Sequence, residues 1–187
     1  MTNMSPIIPN WIIFATVGPV GERTFYLQCE GSDTLYTYKM EKQQVVLLCD
    51  QIGNILDDAP RPGHLPDETA SFRPTDDINF VVGTIAVAYD VALDGVLLIL
   101  GDIEFSSENL DFMSSLDESS GWEVLSEAID MDRAAQLFLS REQAAALAIM
   151  GTVLAKAGRP PCPLCGYPLD PRGHACPRTN GHKPPTR

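Results

Sequence analysis

No run of apolar residues approaches the roughly 20 needed to cross a bilayer as a helix, although 44% of the 187 residues are hydrophobic, enough to bury a real core. Histidine is scarce, three in all, and only His64 precedes residue 174. Acid–base chemistry in the body of the chain would therefore fall to carboxylates, tyrosine or lysine. Gly-x-Ser-x-Gly, His-Glu-x-x-His, the phosphate loop and the dinucleotide glycine fingerprint are all missing, which removes the commonest sequence signatures of hydrolysis, zinc proteolysis and nucleotide binding. Neither a basic start nor a signal-like apolar segment opens the chain, so the expected location is cytoplasmic.

Bases are also few, 13 against 25 acids, for a net charge of −12. The shortage is uneven. From Lys156 onward six bases (Lys156, Arg159, Arg172, Arg178, Lys183, Arg187) face one acid, Asp170, a net of +5, which leaves residues 1–155 at −17. An acidic body repels nucleic acid, so any such contact would run through the basic tail. A protein partner is the expectation, and a membrane is not.

Of the five cysteines, Cys29 and Cys49 fall in apolar strand and helix patterns and read as inert core thiols. The other three are concentrated near the C-terminus, in Cys162-Pro-Leu-Cys165-Gly166 and, eight residues on, His174-Ala-Cys176. In a reducing compartment two thiolates at this spacing are a metal clamp more often than a disulfide. Gly166 permits the left-handed turn that directs backbone N–H groups at sulfur. A redox pair would open a helix, whereas Pro160-Pro161 precedes this one and forbids a preceding helical turn. The candidate ligands are Cys162, Cys165, Cys176 and His174, with His182 competing for the fourth position. Four candidates and no convergent carboxylate point to a closed, structural Zn2+ site, which would supply most of the folding energy of so short a segment.

Residue patterning predicts strands over Trp11–Val17, Thr24–Glu30 and Thr34–Met40, then an amphipathic helix from Glu41 to about Asp57. Residues 58–77 contain four prolines and seven charges without periodicity and read as a surface linker. Phe80–Asp90 and Val96–Glu104 are strand-like around an Asp94-Gly95 hairpin signal. Residues 102–132 hold ten acids and no base, with Phe112 and Trp122 embedded. This is a solvated loop, or a segment that docks on a partner or on the chain's own basic tail. Ala135–Leu139 reads as a strand. Ser140 then opens a helix to about Ala157, with Ser140-Arg-Glu-Gln143 as a capping box.

The order of three strands and a helix thus occurs twice. Glu41-Lys-Gln-Gln44 and Ser140-Arg-Glu-Gln143 stand ninety-nine positions apart, and the same offset puts Leu48 on Leu147 and Ile55 on Leu154. The expected fold class is α+β. Two βββα units (11–57 and 78–157) would form an antiparallel sheet or half-barrel with both helices packed on it, a body of residues 1–158 followed by a zinc-knuckle-like tail, 159–187. Between the first two strands, Gly18-Pro-Val-Gly21-Glu22-Arg23 is a hairpin turn or, alternatively, a ligand loop with Glu22 and Arg23 at the mouth of a pocket and Arg23 holding an anion.

Trp11-Ile-Ile, Thr16-Val-Gly-Pro, Gly21-Glu-Arg-Thr-Phe-Tyr-Leu27, Glu41-Lys-Gln-Gln-Val45, Val82-Gly-Thr84, Gly158-Arg-Pro-Pro-Cys-Pro-Leu-Cys-Gly166 and Leu169-Asp-Pro-Arg-Gly-His174 resemble a bacterial, mainly actinobacterial, family of unknown function. It is numbered three-zero-nine-zero and is also called "repeat protein". The resemblance implies no established activity. Carried over position by position, it favours Cys162, Cys165, His174 and Cys176 over His182 as ligands. The leading expectation is a non-catalytic accessory protein whose zinc tail and acidic segment mediate protein contacts. The alternatives are a small-molecule binder or enzyme with a pocket near residues 18–24, and nucleic-acid binding through the tail.

Overall fold

A computed structural model describes residues 6–57, 70–102, 134–158, 162–165, 176 and 178 of the chain. The strands are β1 (Trp11–Val17), β2 (Thr24–Gly31), β3 (Thr34–Met40), β4 (Phe80–Asp90), β5 (Gly95–Asp102) and β6 (Ala134–Ser140). The helices are α1 (Lys42–Asp57), after β3, and α2 (Arg141–Lys156), after β6. All six strands form one sheet in sequence order.

Alternation sets which face is buried. Leu27 and Cys29 of β2, Leu98 and Leu100 of β5, and Leu137 and Leu139 of β6 point into one core, as a two-residue period requires. Tight turns join β2 to β3 and β4 to β5. Asp94, at φ 53, turns the chain from β4 into β5. Asp and Asn are the non-glycine residues that tolerate this region best.

The expected all-antiparallel sheet needs correction, because β3 and β4 are parallel, with Tyr38 opposite Phe80 and Lys39 opposite Val81. Helix α1 lies between them and carries the chain back along the sheet, so β4 starts from the same end as β3. A second parallel contact joins the two ends of the strand order. Ile7 N donates to Gln136 O at 2.8 Å, and Phe138 N donates to Ile7 O at 2.9 Å. The segment ahead of β1 thereby pairs with β6 at the opposite edge.

The two helices pack on each other, α2 chiefly over β1 and α1 over β4. Val45, Leu48 and Ile52 of α1 and Ala144 and Leu147 of α2 complete the core, at the three- and four-residue intervals of an amphipathic helix. Gly151 lets α2 come close. A Cβ there would overlap Cys49 Sγ and lie 2.7 Å from the Phe14 ring. At Gly53 of α1, by contrast, a Cβ would meet nothing within 4 Å.

The predicted capping box of α2 is present. Gln143 N donates to Ser140 Oγ at 3.2 Å, and Ser140 N donates to Gln143 Oε1 at 3.1 Å. In α1 Glu41 N donates to Gln44 Oε1 at 2.8 Å. Each glutamine then ties its helix to a strand region of the other half: Gln44 Nε2 donates to Val82 O and Gln143 Nε2 to Pro9 O, both at 2.8 Å.

Residues 70–79 form neither helix nor strand, yet they are fastened to the sheet. Gln28 is fully buried. Its Oε1 accepts from Arg73 N at 2.8 Å, and its Nε2 donates to Arg73 O at 2.9 Å and Thr37 Oγ1 at 3.0 Å. A carboxamide with both ends engaged meets the requirement that buried polar groups be paired. Beside it Phe72 stacks on Tyr26 at 5.5 Å. Arg73 lies over Trp11 at 5.1 Å and pairs with Glu30. Residues 58–69, His64 among them, and the acidic segment with Phe112 and Trp122 lie outside the described residues.

Candidate metal centre and basic cleft

Residues 163–165 turn the chain between Cys162 and Cys165, so both thiols face the same point. Cys176 joins them, and the three sulfurs all lie within 4.8 Å of one another. Cys162 is buried, while Cys165 and Cys176 are partly exposed. The backbone N–H groups of Cys165 and Leu164 point at Cys162 Sγ and hold its thiol below the ordinary range, with the two neighbouring thiols adding to the effect. Donors aimed at sulfur stabilise the thiolate, the form that binds metal. Three soft donors so arranged could hold a metal ion. The donor set fits zinc, which thiolates select over hard cations. His174 and His182 lie outside the described residues.

Cys29 and Cys49 have the opposite environment. Burial pushes the Cys29 thiol up to about 12 and the Cys49 thiol to about 11, the latter opposed in part by a hydrogen bond with Thr152. A thiol that resists ionisation is a poor nucleophile and a poor ligand.

The predicted loop at residues 18–23 forms one wall of a cleft of about 760 Å³. Gly18 and Gly21 take φ of +104° and +100°, and Glu22 N donates to Pro19 O at 3.0 Å. A side chain at Gly18 would place its Cβ 2.9 Å from Glu22 O, so the turn requires glycine there. The opposite wall is the end of α2 and the two residues after it, Leu154–Gly158, and Lys42 at the start of α1 also lines the cleft. Arg23 Nη1 donates to Ala157 O at 2.6 Å, satisfying a carbonyl that the helix end leaves without an internal partner.

Among the described residues lining this cleft are three bases, Arg23, Lys42 and Lys156, and no acid. Arg23 is legible from the glycine loop, whereas Glu22 is not among the lining residues. Lys42 escapes sequence reasoning. Its one signal is a base in a first helical turn that holds no acid, where the helix dipole favours acids. A smaller cavity of about 220 Å³, lined by Tyr36, Tyr38, Phe80 and Gln136 among others, lies at the two parallel contacts. No described helix is long and apolar enough to cross a membrane.

Residues 7–176 match the sequence profile of a family described as "Protein of unknown function (DUF3090)", and the chain belongs to that family. No curated protein and no solved structure matches it.

Proposed function

We propose that the protein is a non-catalytic accessory protein of the cytoplasm whose C-terminal segment is organised by one zinc ion and serves to bind a protein partner. The observation that carries this reading is the convergence of Cys162, Cys165 and Cys176 within 4.8 Å. Three thiols from so short a stretch repel one another once ionised, and a coordinated dication turns that repulsion into attraction. His174 completes a closed tetrahedral set in this reading, leaving no open position for substrate. The guarded thiols of the body support a binding role over a chemical one. So does the segregation of charge, with an acidic body and a basic tail suited to a partner of mixed charge.

The test is metal content. Protein purified in reducing buffer should carry about one zinc per chain by elemental analysis, and cobalt substituted for it should give the intense thiolate-to-metal absorption of a sulfur-rich tetrahedral site. Cys162→Ser should lose the metal while the melting of the body is unchanged. Metal-free protein, or a body that unfolds with that substitution, would refute the reading.

Within the same proposal the body is two copies of one βββα unit. Thr37 O accepts from Asn79 N, and Gln136 O accepts from Ile7 N. Gln44 and Gln143 make the same pair of bonds. Thr37 with Gln136, Gln44 with Gln143 and the two helices all keep the sequence offset of ninety-nine. Shared hydrogen-bond roles at a constant spacing are what a duplicated unit would leave behind.

A further inference from the structure

We infer that the cleft between the 18–23 turn and the end of α2 is a binding site for a small soluble phosphomonoester. It goes beyond the metal proposal and rests on none of its residues. Its volume of about 760 Å³ falls in the range of small-molecule sites. Its charge runs against that of the rest of the body. In a chain with 25 acids and 13 bases, the described residues that line this concavity include three bases and no acid.

The three bases approach it from three elements, Arg23 from the end of the β1–β2 turn, Lys42 from the first residue of α1 and Lys156 from the last of α2. Capping of the α2 C-terminus explains Arg23, whose Nη1 holds Ala157 O, and a base in the last turn suits that dipole. It does not explain Lys42, which sits at a helix start where a positive charge is unfavourable. An anion in the cleft would reverse that penalty, since the ammonium and the first N–H groups of α1 would then act together. Lys42 reaches the far wall, since a Cβ built at Gly158 would lie 3.9 Å from its Nζ, an ordinary van der Waals contact.

The rest of the lining sets the ligand's other half. Val20, Phe25, Leu154 and Ala155 are apolar, a surface for an aliphatic or aromatic group beside the phosphoryl oxygens. Two lysines and a guanidinium match a doubly charged phosphate better than a single carboxylate. The acidic body opposes approach to an anionic bilayer, so the ligand is a free molecule and not a lipid headgroup.

Calorimetric titration of the full-length, metal-loaded protein tests this with inorganic phosphate and phenyl phosphate, weak chelators that leave bound zinc in place. Sodium chloride at matched ionic strength and vesicles containing phosphatidic acid are the comparisons. Phenyl phosphate should bind, more tightly than phosphate, and Lys42→Gln and Lys156→Gln should each weaken it roughly tenfold, the loss of about one charge-assisted hydrogen bond. Both variants leave the Arg23 cap intact and, with only a helix-end charge removed, should melt within about 4 °C of the parent, which separates lost binding from lost folding. No heat beyond the salt control, equal affinity in parent and lysine variants, or binding to the vesicles alone would each overturn the inference.

Discussion

Two glycines on neighbouring helices should respond in opposite directions to the same substitution. In a helix interior alanine is favoured over glycine by about 0.5–1 kcal/mol, because glycine loses more backbone freedom on folding. At Gly53 a new methyl meets nothing within 4 Å, so Gly53→Ala should realise that gain. At Gly151 the methyl would overlap Cys49 Sγ and lie 2.7 Å from the Phe14 ring. Both neighbours are buried, Phe14 and Cys49 each at 4% exposure, and neither side chain can swing into solvent. Overpacking of this kind costs about 1–3 kcal/mol, which exceeds the propensity gain and leaves Gly151→Ala less stable by about 1–2 kcal/mol. Urea unfolding followed by helix circular dichroism reads both, and an unchanged slope would show that stability alone has moved. The melting temperature should rise about 1–4 °C for Gly53→Ala and fall by a similar or larger amount for Gly151→Ala. Adding Cys49→Ala to Gly151→Ala should recover part of the loss, because it removes the nearest obstruction. If both single variants gain stability equally, the two helices are not in the close contact described, and the packing argument fails.

Two further outcomes follow from buried polar and thiol groups. Gln28→Leu would remove both partners of the Arg73 backbone and should cost about 2–3 kcal/mol, with hydrogen exchange accelerated at Arg73. Unchanged protection of that amide would mean that residues 70–79 are held by something else. Burial raises the Cys29 thiol to about 12, from 9.0 when exposed. The unfolded chain therefore loses this proton first, and the stabilisation, fully present below pH 9, should fall by about 1.4 kcal/mol per pH unit from there towards pH 12. Urea midpoints across that window should decline more steeply for the parent than for Cys29→Ala, and parallel profiles would contradict the burial argument.

Local chemistry makes much of this fold legible in the sequence itself. The alternation in β2 and β6, the Asp94-Gly95 turn and the Ser140–Gln143 box are each written within a few consecutive residues, and each is found where its pattern lies. The Cys162/Cys165 spacing is equally local, and adding Cys176 needs only a short span of chain. The pairing of strands distant in sequence is not legible. Nothing in Tyr38 and Phe80 specifies a parallel register, since that follows from where α1 returns the chain. Ile7 sits between prolines and alone cannot show a strand period. Arg73 is bound through the Gln28 carboxamide and Phe72 through the Tyr26 ring, contacts that leave no pattern in a proline-rich stretch. The basic cleft is half visible for a related reason: Arg23 announces itself in a glycine loop, while Lys42 acquires meaning only when two helix ends meet.

The hydrogen bonds that Ile7 makes with Gln136 and Phe138 impose an order of events on biosynthesis. Ile7 emerges from the ribosome well before its partner and acquires it only after β6 has been translated, on the order of 10 s later at ordinary elongation rates. Until then the backbone N–H and C=O of Ile7 have no strand to pair with, the kind of group that invites adventitious strand pairing. Removing the segment through Ile7 would instead leave Gln136 O and Phe138 N on the edge of β6 without their strand partner, so such deletions should aggregate more readily than their small loss of buried area suggests.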